Sequence, residues 1–287
     1  MKLHFIDPLT RGEFYLYMNE TSLSRLFFQG NRKDTFLTIA WNNGPKQLAV
    51  IDEVPCEFPE QSILPLMVSQ SFRFELPDQV VAWQYNRDFY CIVDHDREVS
   101  CVGFLFYGFA GRMFIHVPEQ EQRKIDQLFR VFIDEFQTED AIQKDMLQML
   151  LKRLIIILTR LAKKQYIRDP NLPDDKLDII RQYNLLVENH YKKQHQVQYY
   201  ASELHKSPKT LANLFALYNS KSPLAVIQER IIMEAKRLLI YTDKSAKEIA
   251  YDLGFEDKAY FSNLFKKHTA RSPLDFRRAE STLLSRQ

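Results

Sequence analysis

Short apolar and alternating runs dominate the first 118 residues. Segments 35–41, 47–51, 70–76, 80–84, 89–93, 99–107 and 113–117 are rich in β-branched and aromatic residues, and Asn, Asp, Gly or Pro lie between most of them, which predicts strands. In one of them Phe72, Phe74 and Leu76 alternate with Ser71, Arg73 and Glu75, one face for a core and one for water. Several such strands at roughly regular spacing predict a small barrel or jelly roll.

The period becomes helical at Glu119. Ile125, Leu128, Phe129, Phe132, Ile133 and Phe136 form one apolar stripe, and a second helix begins after Thr138-Glu139-Asp140. There Leu147, Leu151, Leu154, Leu158 and Leu161 recur in steps of four and three, a heptad seam of just over two repeats that reads as a dimer contact. The alternative is that both helices only pack on the strands, because Ile155, Ile156 and Ile157 broaden the apolar face. Two prolines and three aspartates in 168–175 end the pattern and read as an exposed linker.

Beyond the linker the helical pattern repeats itself. After a helix over 176–193, Ala201-Ser202-Glu203-Leu204 parallels Ala250-Tyr251-Asp252-Leu253 at an offset of 49, and Leu211-Ala212-Asn213-Leu214-Phe215 parallels Phe261-Ser262-Asn263-Leu264-Phe265 at an offset of 50. Each copy reads as helix, short turn, helix, and the second turn is one residue longer. Ser245 with Glu248 is a capping box, Gly254 sits where a left-handed backbone is needed, and Asp257 is placed to cap the next helix. Ser207-Pro208, Ser222-Pro223 and Ser272-Pro273 supply a cap followed by a proline at the first helical position. Between the copies an apolar face of Ile227, Ile231, Ala235, Leu238 and Leu239 predicts a helix of about eighteen residues, roughly 27 Å long, suited to hold two recognition helices one DNA turn apart.

Composition sharpens this picture. A chain of 287 residues with 45% hydrophobic content has material for two cores. The net charge of +2 is uneven: 19 Lys+Arg against 14 Asp+Glu from Asn171 onward make about +5, and the preceding 20 against 23 make about −3. That suits a DNA-facing C-terminal module, and a solvated surface accounts for it nearly as well. Cys56, Cys91 and Cys101 contain no C-x-x-C pair and are odd in number, which suits a reducing compartment; Cys91 with Cys101 as a redox pair is the alternative to buried thiols. The start of the chain lacks the order of a signal peptide, and no apolar run is long enough to cross a bilayer, so a cytoplasmic protein with no membrane partner is expected.

Catalytic chemistry finds little support. A metal-dependent barrel enzyme needs clustered ligands such as an H-x-H pair; His95 lies between Asp94 and Asp96, and His116 stands alone, so no metal or other cofactor is expected. No G-x-S-x-G elbow or phosphate-cradling glycine loop occurs. Trp83, Tyr85 and Tyr90 with Arg73 are candidates to line a ligand cavity in the barrel, or else these aromatics simply fill its core.

The run EAKRLL, the following threonine-aspartate and KEIAYDLGFEDKAYFSNLFKKHTARSP resemble the DNA-binding domain of the AraC/XylS family of bacterial transcription regulators, over roughly 176–278. The resemblance implies an α+β chain: a cupin-like sensor barrel or jelly roll (1–118), a helical dimerisation segment (119–168), a linker (169–175) and an all-α double helix-turn-helix domain (176–280). It implies a double-stranded DNA operator, a homodimer, a small-molecule effector and contact with RNA polymerase. By matched positions the DNA contacts fall on Ser207, Lys209, Thr210, Ala212 and Asn213 in the first copy. In the second they fall on Lys258, Ala259, Tyr260, Ser262 and Asn263, with Lys266 and Lys267 as phosphate contacts. Asn213 and Asn263 stand where many members carry arginine, which points to adenine rather than guanine. Ser220 and Ala270 stand where many carry glycine. The rival readings are a catalytic cupin fused to a DNA-targeting module, and a regulator with no ligand.

Overall fold

The computed structural model describes the chain except residues 26–35, 53, 69, 92–104, 107–111, 168–173, 218–220 and 285–287. The predicted strand 99–107 apart from its helical turn at Leu105–Phe106, the Asp94-His95-Asp96 run, Cys101, most of the 168–175 linker and Ser220 lie outside the described residues. Two compact units are present, Met1–Pro170 and Asn171–Gln287.

Among the described residues of the first unit, ten strands form two antiparallel sheets. Six of them, β1 (Lys2–Ile6), β2 (Glu13–Tyr17), β9 (Val80–Tyr85), β4 (Leu37–Asn42), β7 (Ser62–Leu66) and β10 (Ile115–His116), lie side by side in that order. The other four are ordered β3 (Ser24–Arg25), β8 (Phe72–Phe74), β5 (Gln47–Ile51) and β6 (Val54–Phe58). The α+β class is as expected. Among the described residues the sheets stay two separate layers and do not close into a barrel. Ala40, Leu64, Val80 and Ala82 of the larger sheet share a core with Ala49, Phe58, Phe72 and Phe74 of the smaller. β1, β2, β3, β6 and β7 were not among the predicted strands. β6 and β7 carry Pro55 and Pro65, which weaken a strand pattern; Pro65 is tolerated because β10 covers β7 only at Ser62 and Ile63.

Two helices cover the other face of the larger sheet, which is why all six residues of β4 and of β9 are buried. In α1 (Glu119–Phe136), Phe129 and Phe132 meet Trp83 at 6.2 and 5.9 Å between ring centroids, and Phe132 and Phe136 meet Phe14 at 5.7 and 5.1 Å. In α2 (Gln143–Tyr166), Lys144 Nζ is 2.5 Å from Asp7 Oδ2 at the end of β1. The Gln165 amide bonds both the N–H (3.0 Å) and the C=O (2.7 Å) of His116, closing the open edge of β10 as a further strand would.

Two sequence expectations are corrected here. Leu147, Leu151, Leu154, Leu158 and Leu161 are at most 8% exposed within a single chain, so this seam is not a dimer interface. A sheet with two large apolar faces needs a cover on each, and the leucines supply one. Nor do Arg73, Trp83, Tyr85 and Tyr90 line one cavity. Trp83, Tyr85 and Tyr90 are buried among aromatic rings, whereas Arg73 belongs to the smaller sheet, on the face opposite Phe72 and Phe74. Residues 89–91, predicted as a strand start, are not strand; the turn at 87–89 is held by Asn86, whose Oδ1 accepts from Phe89 N at 2.9 Å.

The second unit is helical: α3 (Asp174–His190), α4 (Val197–Glu203), α5 (Pro208–Leu217), α6 (Pro223–Tyr241), α7 (Ala246–Asp252), α8 (Lys258–Thr269) and α9 (Pro273–Leu284). Tyr183 of α3 packs against Tyr200 of α4 (5.3 Å) and Phe215 of α5 (5.0 Å), and its hydroxyl donates to Pro223 O at 2.9 Å.

Candidate nucleic-acid interface

The second helix pair is built by local chemistry. Ser245 Oγ accepts from Glu248 N at 3.2 Å while the Glu248 carboxylate accepts from Ser245 N at 2.7 Å, and these bonds hold the Glu248 carboxyl below its ordinary pKa. α7 ends in a turn whose Gly254 has φ +79°. Asp257 then caps α8 by accepting from Ala259 N at 2.7 Å. Phe261, Leu264 and Phe265 are buried, so the opposite face of α8 is committed to solvent. It presents Lys258, Ala259, Tyr260, Asn263, Lys266 and Lys267, with Ser262 partly buried beside them. The two lysines lie in the last turn, where they also complement the helix dipole.

The first pair repeats the plan with different residues. Lys206 N reaches Ala201 O at 2.9 Å and Phe255 N reaches Ala250 O at 2.9 Å, so both first helices end in the same way. His205, at φ 52°, takes the left-handed place that Gly254 takes in the second copy. Ser207 Oγ accepts from Thr210 N at 3.0 Å and pairs with Thr210 Oγ1 at 2.8 Å, so both hydroxyls, counted among the DNA contacts, are engaged in capping. Leu211, Leu214 and Phe215 are buried and Lys209, Ala212 and Asn213 are exposed. Among the described residues no protein group bonds the side-chain amide of Asn213 or Asn263, which leaves both free to meet base edges.

Comparison with known proteins also finds a helix-turn-helix domain in this part of the chain. The helix-turn-helix domain family matches residues 200–279. The arabinose operon regulatory protein of Salmonella typhimurium is 29% identical over 171 residues, 59% of this chain and 58% of that protein. Its counterpart in Escherichia coli is 38% identical over 71 residues, 25% of this chain and 24% of its own length. The C-terminal unit is an AraC-type helix-turn-helix domain. Among solved structures, ToxT from Vibrio cholerae is 14% identical with a TM-score of 0.41, and the match covers 96% of each chain. The chain thus spans little more than half of the first of these curated relatives and about a quarter of the second.

What holds the AraC-type domain together was hidden from sequence reading. Arg230 of α6 bonds Glu188 of α3 in a fork, Nε to Oε2 at 2.6 Å and Nη2 to Oε1 at 2.9 Å, and its guanidinium lies 4.0 Å from the Tyr191 ring centroid. Glu234, 3% exposed, receives Arg237 at 2.5 Å and Arg230 at 3.6 Å. Burial pushes the Glu234 carboxyl up, but the Arg237 bond and both guanidinium charges outweigh it and hold it below its ordinary value. At the other end of α6, Arg277 of α9 donates to the carbonyls of Leu239 (2.9 Å), Thr242 (3.2 Å) and Lys244 (2.5 Å). These residues are scattered over nearly ninety positions, and only the i,i+3 and i,i+4 spacing of Arg230, Glu234 and Arg237 was a visible signal. Lys247, 5.8 Å from the ring of exposed Tyr251 on α7, is a further cation that the sequence reading did not select.

One histidine of the AraC-type domain titrates usefully. His195 Nε2 donates to Leu253 O at 2.8 Å and its ring lies 4.4 Å from that of Phe255. Burial pushes its pKa down, opposed by bonds to the Leu253 and Tyr191 backbone. A histidine with a lowered native pKa binds more protons when unfolded. Its contribution is therefore whole above the ordinary value of about 6.5 and is lost as pH falls below it. Thermal melts from pH 7.5 to 5.5 are expected to show this decline, and His195→Gln is expected to flatten it; an unaltered slope would assign the decline to other groups.

Proposed function

We propose that this chain is a sequence-specific DNA-binding transcription regulator that places α5 and α8 in successive major grooves. The observation that carries this reading is the pairing of two helices with buried apolar backs and exposed polar and cationic faces across α6. At nineteen residues α6 is about 28 Å long, near the 34 Å turn of DNA. Lys209, Thr210, Ala212 and Asn213 face one groove, and Lys258, Ala259, Tyr260, Ser262 and Asn263 the next. Lys266 and Lys267 meet phosphates, and Ser207 serves as a cap. The two asparagines favour adenine in each half-site.

The resemblance further supports a dimer, a small-molecule effector and contact with RNA polymerase. The dimer contact has to lie outside the leucine seam, and the effector site outside the Arg73, Trp83, Tyr85 and Tyr90 set. An effector acts by binding two states unequally.

Footprinting of the full chain on DNA from upstream of its own gene, across a salt series, tests the reading. Protection of two adjacent major-groove segments is expected. Asn263→Ala is expected to cost about 1–3 kcal/mol and relax one base position, while Lys267→Ala weakens all sequences alike and lowers the salt slope by about one. Identical behaviour of the two variants would refute the division into base and phosphate contacts.

A further inference from the structure

We propose that the groove between the N-terminal end of α1 and the outer side of α2 docks an acidic amphipathic helix from a partner protein. The groove has a volume of about 1120 Å³ and runs from Met149 to Gln165 along α2, roughly 24 Å of helix. Its floor is apolar: Ile156 and Ile157 are only partly buried, and Met149 is 65% exposed at one end. Ile156 and Met149 lie on the opposite side of α2 from the leucines that cover the sheet, so nothing in the fold of this unit requires them to be apolar, while Ile157 borders Leu161, the one of those leucines that also lines the groove.

The rim is cationic. Lys124 projects from α1, and Arg153, Arg160 and Lys164 form one stripe along α2, all exposed. Glu121 is the lone carboxylate in the lining and is already 2.7 Å from Lys124. Among the described residues no carboxylate pairs with Arg153, Arg160 or Lys164.

The spacing of these charges selects the occupant. The stripe from Arg153 to Lys164 extends about 16 Å, so a ligand with a single anionic head leaves most of it unmatched. A helix of about sixteen residues matches the length, lays an apolar face on Ile157 and Leu161, and aligns carboxylates with Lys124 on one side and with the Arg153, Arg160 and Lys164 stripe on the other. Met149 offers an unbranched side chain that adapts to such a face. A second copy of this chain would bring the same cations face to face, and a nucleic acid would leave the isoleucine floor uncovered.

The test uses the full chain and a displayed library of α-helical peptides with randomised faces. Selected peptides are expected to carry Leu or Ile at i, i+3 or i+4 and i+7 flanked by Asp or Glu, and to bind at micromolar Kd with affinity falling as salt rises. They are expected to lose at least tenfold in affinity for the R153E/R160E variant, whose circular dichroism and melting should match the parent. Selection of helices without acidic flanks, equal binding to the variant, or recovery of no helix overturns the proposal. So does self-association of the unliganded chain that R153E/R160E abolishes, since the groove would then belong to a second copy.

Discussion

Gly254→Ala is expected to destabilise the AraC-type domain by more than about 3 kcal/mol and to abolish DNA protection by α8 while the first unit keeps its own melting transition. Two effects add. At φ +79° a Cβ costs about 1 kcal/mol by itself. The larger one is steric, because that Cβ would stand 2.0 Å from Lys192 O and 3.1 Å from Lys192 C, backbone atoms that cannot turn aside. His205 is the internal control: it holds a side chain at φ 52° in the matching place, so left-handed backbone alone is tolerable in this motif. Urea unfolding of the full chain followed by a probe in the second unit gives the difference. A loss under 1 kcal/mol would mean that the 192–254 contact relaxes easily and does not set the position of the second turn.

Arg230→Ala is expected to cost about 3 kcal/mol, because breaking a buried ion pair leaves its partners charged and poorly solvated. Glu234 is almost fully buried and keeps only Arg237, and Glu188 loses both arms of its fork. Burial by itself would lower the Arg230 pKa, and the Glu188 bonds and charge overturn that and raise it, so the guanidinium stays charged. A fall in melting temperature of ten degrees or more in this unit follows from such a loss. Glu188→Gln combined with Arg230→Met should recover part of it, since it removes the charge stranded at Glu188, while Glu234 still keeps only Arg237. If the double variant is no more stable than Arg230→Ala, packing on Tyr191 rather than charge pairing is what α6 loses.

Local signals were read correctly wherever the physics was local. The capping box at Ser245 and Glu248, the cap at Asp257 and the three Ser-Pro starts all depend on groups within five residues of one another, and each is present. Ala270, standing where many AraC-type domains carry glycine, holds the left-handed place at φ 60° that ends α8. The strands fared worse. A strand is stabilised by partners distant in sequence, and β1 and β3 at the start of the chain carry few β-branched or aromatic residues, whereas β2, with Phe14, Tyr15 and Tyr17, fits the strand pattern and was not among the predicted strands.

By itself the sequence determined that the chain has a strand-rich first part, a helical second part, and two copies of a helix-turn-helix with Asn213 and Asn263 on their outer faces. Periodicity marks which side of a helix is apolar, and caps mark where it begins. Neither marks what the apolar side will meet. Only the tertiary structure decided that Leu147, Leu151, Leu154, Leu158 and Leu161 cover a sheet and not a second subunit. It also decided that Trp83 and Tyr85 face helices rather than a cavity, and that Glu188, Arg230 and Glu234 meet. A heptad seam and a sheet-covering stripe are the same pattern in one dimension, and the surface they bury against exists only after the chain has folded.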